Sequence, residues 1–164
     1  MGTGTKSGSS SVAGAKKRLW LKAWVPHRLE MLISPAWTHA PQPLRRILER
    51  LEVEHLRHGG QHNGYLHVAF SQFVLAGVSK RTIRPSIDLG QALGLLECVP
   101  DDEPAGDIRG PNRYRLTYVP AKGQPFPTDE WKRVTQERAE KILKQFRASS
   151  DGQKSQQKAN EKAA

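Results

Sequence analysis

Between Pro41 and His58 the apolar positions Leu44, Ile47, Leu48, Leu51 and Leu56 recur at three- and four-residue spacing, the period of one helix face. Gly59 and Gly60 predict its end, since glycine takes positive φ without steric cost. An Asn63–Gly64 turn follows, then a short strand over Tyr65–Val68, where aromatic and branched residues nearly alternate. The pattern next predicts a short helix over Phe70–Ala76, with Phe70, Phe73 and Val74 inward and Gly77 as the turn. A longer helix is predicted from Ser79 to Gly94. There Ile83, Ser86, Ile87, Gly90 and Leu93 share one face, and Lys80, Arg81, Arg84, Asp88 and Gln91 share the opposite one. The Ser79 hydroxyl is placed to cap this helix. Pro85 opposes the assignment, because a proline inside a helix removes the bond to the Arg81 carbonyl and costs about 3 kcal/mol unless the helix bends or water compensates.

Leu95–Val99 and Arg113–Val119 read as the strands of a hairpin, with Tyr114, Leu116 and Tyr118 alternating against Arg113, Arg115 and Thr117. Glycine, proline and charge in the intervening Pro100–Asn112 predict an exposed loop. Thr128–Ala148 reads as a last helix capped by Thr128, with Asp129 and Glu130 in its first turn and Lys141, Lys144 and Arg147 near its end. Trp131, Val134, Ile142 and Phe146 are its expected packing residues. Nearer the start, Ala15–Trp37 mixes Lys16, Lys17, Arg18 and Lys22 with Leu19, Trp20, Trp24, Leu29, Met31, Leu32 and Ile33. Pro26 and Pro35 interrupt it, so a short helix followed by an extended arm is expected. The arm's tryptophans either dock on the domain or its cations run along a phosphate backbone. The small, polar residues 1–15 and 149–164 predict disordered tails. The chain therefore divides into a tail (1–15), a basic aromatic arm (16–40), a folded domain (41–119), a linker with a last helix (120–148) and a second tail (149–164).

A length of 164 residues accommodates one domain plus tails. Lys and Arg number 26 against 16 Asp and Glu, and the net charge of +10 makes nucleic acid the expected partner. Cys98 is the only cysteine, which excludes an intramolecular disulfide and paired thiolates and fits a reducing compartment. No apolar run reaches membrane length, and Met1–Ser11 lacks the apolar stretch of a signal peptide, so the expected location is a bacterial-type cytoplasm, at the nucleoid. His55, His58 and His62 lie three and four apart, but they have no cysteine partner and Gly59–Gly60 separates the third; they are expected to cover a helix end rather than hold a metal. No glycine-rich phosphate loop, apolar carboxylate pair or Ser–His–Asp arrangement is recognisable, so neither catalysis nor a cofactor is expected.

Helix, short strand, short helix, glycine turn, basic helix and hairpin, in that order, are the parts of a winged helix-turn-helix. The runs Asn63-Gly64-Tyr65-Leu66-His67-Val68, Gly77-Val78-Ser79-Lys80-Arg81-Thr82-Ile83, Ala92-Leu93-Gly94-Leu95-Leu96 and Asn112-Arg113-Tyr114-Arg115-Leu116-Thr117 resemble bacterial winged helix-turn-helix proteins. Many of those are plasmid, phage or integrative-element regulators and replication initiators. The resemblance covers about residues 41–119. It implies a mostly α fold with a small β hairpin, a C-terminal helix outside the minimal domain, and sequence-specific binding of double-stranded DNA in transcription regulation or replication initiation. Ser79, Lys80, Arg81, Thr82, Arg84 and Gln91 become the DNA-facing candidates of a recognition helix. Arg81 and Arg84 suit guanine, whose O6 and N7 accept from a guanidinium fork, while Lys80 and Thr82 suit phosphate and Asp88 pairs with Arg84. Arg109, Arg113 and Arg115 are the wing candidates, opposed by Asp101, Asp102, Glu103 and Asp107 in the same loop. Lys16, Lys17 and Arg18 are those of the arm. An RNA-binding or ribosome-associated basic protein and a protein-interaction module remain alternatives. The last helix either builds a homodimer for paired half-sites or packs on its own domain.

Overall fold

Three helices open the folded part of the chain in a computed structural model, which describes residues 24–100 and 112–148. They are α1 (Leu29–Leu32), α2 (Pro35–Thr38) and α3 (Gln42–Arg57). β1 (Leu66–His67), α4 (Phe70–Leu75), α5 (Lys80–Ala92), β2 (Leu96–Val99) and β3 (Arg113–Leu116) follow, then a 3-10 turn (Glu130–Arg133) and a last helix, α6, over 136–148. The two tails, Lys16, Lys17 and Arg18 of the arm, and Arg109 with the loop acids lie outside the described residues.

The result is a mostly helical fold with a small antiparallel sheet. The sheet has three strands, in the order β1-β3-β2; the sequence predicts the hairpin and a short strand over Tyr65–Val68, but not that this strand pairs with β3. Leu66 faces Tyr114 and His67 faces Arg113, while Leu96 to Val99 pair with Leu116 to Arg113. Buried Asn63 makes the third strand possible: its side-chain oxygen accepts the Leu116 N–H at 2.7 Å, and its amide donates to the Leu116 and Val119 carbonyls, each at 2.7 Å. Leu44, Ile47, Leu48 and Leu51 of α3 meet Ile83, Ser86, Ile87 and Gly90 of α5 in the core. A Cβ at Gly90 would stand 2.8 Å from Leu44 Cδ1 and 2.9 Å from Leu96 Cδ2, so the two helices and β2 close on a position without a side chain.

Several expectations require correction. Residues 16–40 are not an arm throughout, because Met31, Ala36 and Ala40 belong to the core. Pro35 starts a helix instead of breaking one: it occupies the first turn of α2, and Ser34 Oγ accepts the Trp37 N–H at 3.3 Å. The segment is fastened further by His27, which meets Glu52 at 2.8 Å and stands edge-on to Trp37 and Tyr118 with centroids 5.3 and 5.9 Å away. In α4 only Phe73 is buried, packed edge-on against Tyr114; Phe70 and Val74 are 37% and 44% exposed, since six residues offer one inward position. The burial alternation of β3 stops at Leu116. Thr117, Tyr118 and Val119 are all buried, as the Thr117 carbonyl accepts the Asp129 N–H at 2.9 Å and its hydroxyl donates to the Gly94 carbonyl at 2.7 Å.

Thr128 does not cap a long helix. Asp129 takes a left-handed conformation, φ 51°, and its carboxylate is held by Arg28, by Lys132 at 3.2 Å and by the Trp131 indole N–H at 3.1 Å. The Thr128 hydroxyl donates to Glu130 Oε2 at 2.6 Å instead. The chain makes the 3-10 turn, and α6 begins only at residue 136. Of the two uses expected for the last helix, packing on its own domain is observed: Ala139 is buried, and Ile142, Leu143 and Phe146 lie against the core.

Candidate nucleic-acid interface

The turn between α4 and α5 is built from its carbonyls outward. Ala76 ends α4, Gly77 takes φ 83°, its N–H donates to the Val74 carbonyl at 2.9 Å, and the Val78 N–H reaches back to Phe73 at 3.0 Å. These are the two bonds of a Schellman ending, completed by apolar burial of Val78 with Phe73. Arg46 of α3 donates to the Ala76 carbonyl at 3.3 Å and tethers the turn to the core helix. The direction in which α5 leaves the turn is thereby set by the protein's own hydrogen bonds.

Ser79 is the N-cap residue of α5, but its side chain makes no capping bond; the Thr82 N–H and hydroxyl donate to the Ser79 carbonyl at 2.8 and 2.9 Å. The helix runs through Pro85, which lies half-exposed and has no N–H to donate to the carbonyl of exposed Arg81. Lys80, Arg81, Arg84, Asp88 and Gln91 are exposed, and Thr82 is half-buried beside them. Arg84 Nε contacts Asp88 Oδ1 at 3.3 Å, with the two side chains 70% and 54% exposed. Such a pair is worth about 0.5 kcal/mol, so Arg84 can exchange this partner for a stronger anion. Gln91 has a task in the fold: its side-chain oxygen accepts the Cys98 N–H at 3.0 Å, covering a free position on edge strand β2.

The hairpin residues separate into two kinds. Arg115 bonds Glu97 at 2.7 Å, Glu130 at 2.8 Å and the Thr128 hydroxyl. Burial pulls its pKa down, but the two carboxylates outweigh that and hold it above the ordinary value. Its charge is paired within the fold, Glu97 standing opposite it in register and Glu130 closing from the 3-10 turn, so a phosphate at this wing candidate has two carboxylates to compete with. Arg113 stands differently, with its guanidinium 5.8 Å from the Tyr65 ring centroid. Lys122 Nζ lies 5.9 Å from the same ring. Neither Tyr65 nor Lys122 was anticipated; the period of two that turns Leu66 inward is the signal that places Tyr65 outward.

Among the described residues, no group of three or more His, Cys, Asp or Glu is placed to hold a metal ion. His55 is buried, while His58 and His62 stack with centroids 5.0 Å apart and His58 meets Glu54 at 3.1 Å. Half-buried Cys98 has its pKa raised by burial and stays a thiol. Among the described residues, no helix is long and apolar enough to cross a membrane. Comparison with models of known families, with characterised proteins and with solved structures gives no match.

Proposed function

We propose that the chain is a winged helix-turn-helix protein that binds double-stranded DNA through α5, regulating transcription or initiating replication, and that it is not an enzyme. The observation that carries this reading is the exposed cationic face at the start of α5, Lys80, Arg81 and Arg84, presented by a helix whose opposite face is sunk in the core. A B-DNA major groove about 12 Å wide admits one such helix. The element order α3, β1, α4, turn, α5, β2, β3 supports the same reading, since it places a two-helix unit beside a hairpin. Arg84 takes the role of base reader, Lys80 and Thr82 those of phosphate contacts, and Gln91 drops to a structural part.

The test is titration of random and selected duplexes by fluorescence anisotropy at several salt concentrations. With five phosphates neutralised, affinity falls about 10²- to 10³-fold between 50 and 200 mM salt. Replacement of Lys80 and Arg84 together by Gln is expected to weaken binding and flatten sequence preference. Absence of duplex binding at low salt, or an unchanged affinity and preference in that variant, overturns the proposal. Structured RNA outcompeting duplex DNA transfers the reading to RNA.

A further inference from the structure

We infer that the outer face of the sheet carries a second nucleic-acid site, in which an unpaired base stacks on Tyr65 while Arg113 and Lys122 hold the flanking phosphates. The inference rests on the reading of the chain as a nucleic-acid binder and adds to it a single-stranded segment as partner.

Three observations converge on Tyr65. Strand pleating sends Leu66, Tyr114 and Leu116 into the core, and leaves Tyr65 on the water side with 54% of its surface exposed. The other two tyrosines, Tyr114 and Tyr118, are fully buried, so Tyr65 alone of its kind keeps a ring open to a ligand. Two cations stand about that ring, Arg113 at 5.8 Å and Lys122 at 5.9 Å from its centroid.

These two cations are not held by the ion pairs that occupy several others. Arg28, Arg50, Arg84, Arg115 and Lys132 each meet a carboxylate. Among the described residues, none pairs with Arg113 or Lys122. His67, opposite Arg113 in the ladder and exposed, adds a polar edge to the same face. The platform is also held in place: the Lys122 N–H donates to the Asn63 carbonyl at 3.0 Å, and Asn63 itself is locked to β3.

A duplex hides its base faces, and the carboxylates of an acidic peptide have no ring to stack. An unpaired strand offers both a π face and a phosphate on either side of it, which is the complement of one aromatic ring with two cations close to it. Stacking of this kind tolerates any base, so the site adds affinity without adding sequence preference.

The experiment compares a blunt duplex with the same duplex bearing an oligothymidine tail, a tail of abasic sites, or an RNA tail. Wild-type protein is expected to bind the thymidine-tailed duplex about tenfold tighter than the blunt one, and the abasic tail is expected to lose most of that gain. Tyr65→Ala should abolish the gain and leave blunt-duplex affinity intact, whereas Tyr65→Phe should keep it; because Phe retains the ring, the pair separates stacking from a folding defect. Lys122→Gln should reduce the gain on thymidine and abasic tails alike. Comparing the RNA and thymidine tails decides which strand chemistry is preferred. Equal binding of tailed and blunt duplex, an abasic tail as good as thymidine, or a gain that survives Tyr65→Ala overturns the inference while leaving α5 as a duplex reader. Conversely, a Tyr65-dependent affinity for the tail with no affinity for blunt duplex upholds the platform and removes the α5 reading.

Discussion

Asn63 and Leu116 hold each other in both directions: the Asn63 side-chain oxygen accepts the Leu116 N–H, and its amide donates to the Leu116 carbonyl, both at 2.7 Å. The same amide reaches the Val119 carbonyl. A side chain from the turn before β1 thus acts as an extra rung between that turn and β3. Asn63→Ala leaves three buried backbone groups without partners, at about 1 kcal/mol or more each, so a loss of roughly 3 to 6 kcal/mol is expected in urea denaturation. Asn63→Asp keeps the acceptor but sets a carboxylate against two carbonyl oxygens. It should be nearly as damaging at neutral pH and recover relative to Asn63→Ala on acidification, when the protonated carboxyl can donate.

Gly94 joins α5 to β2 with φ 66°, and a Cβ there would stand 2.8 Å from the Glu130 carbonyl carbon and the Trp131 nitrogen. Gly59 has nearly the same φ, 67°, and open space around it. Both substitutions by Ala incur the left-handed penalty of about 1 kcal/mol. Only Gly94→Ala also forces two backbone segments apart, which adds about 2 kcal/mol. The difference between the two unfolding free energies measures how closely the 3-10 turn is seated, and equal losses would show that it yields.

Sequence patterning located α3 and α5 because both are long enough for a period to show, and Ile83, Ser86, Ile87 and Gly90 turn inward as their spacing predicts. What escaped it was short or distant. β1 has two residues, too few for alternation to mark as a partner of β3. Pro35 reads as a breaker until Ser34 is seen capping the helix that it starts. The charge of Arg115 is cancelled by Glu97 and Glu130, one across the ladder and the other beyond it, and no local pattern connects the three. Tyr65 and Lys122 meet only because Asn63 draws the chain after β3 back to the turn before β1.

Acid should unfold the protein in two stages. Burial holds the His55 imidazole below its ordinary pKa of 6.5, with His62 adding to that and Glu52 opposing it, and its Nδ1 has no hydrogen-bond partner among the described residues. As pH falls below 6.5 the unfolded chain takes up this proton while the folded chain resists, so stability declines there first. Asp129 and Glu130 come later. Burial raises both carboxyls, but Arg28, Lys132 and Trp131 for the one, and Thr128 and Arg115 for the other, leave them below 3.8 and 4.5. Their contribution is complete above those ordinary values and disappears as pH drops through the lowered ones. Urea midpoints from pH 8 to pH 3 should show both declines. His55→Leu is expected to flatten only the first, and Arg28→Met to weaken only the second.

Asp88 restrains Arg84, the residue to which the proposed duplex reading assigns the base contact. Its carboxylate meets Arg84 at 3.3 Å on a face proposed to approach a chain of phosphates, where a negative charge is repelled. Asp88→Asn removes that repulsion and releases the guanidinium, so duplex affinity should rise about 3- to 10-fold at 0.1 M salt, with folding stability changed by less than about 0.5 kcal/mol. Arg84→Ala should lower affinity about 5- to 100-fold and relax preference at one base pair. The double variant is the decisive arm of the cycle. If Asp88 acts through Arg84, Asp88→Asn gains little once Arg84→Ala is already in place; if it acts on the phosphates directly, the gain persists and shrinks as salt rises. No effect of either substitution in any background would place the DNA elsewhere than on α5.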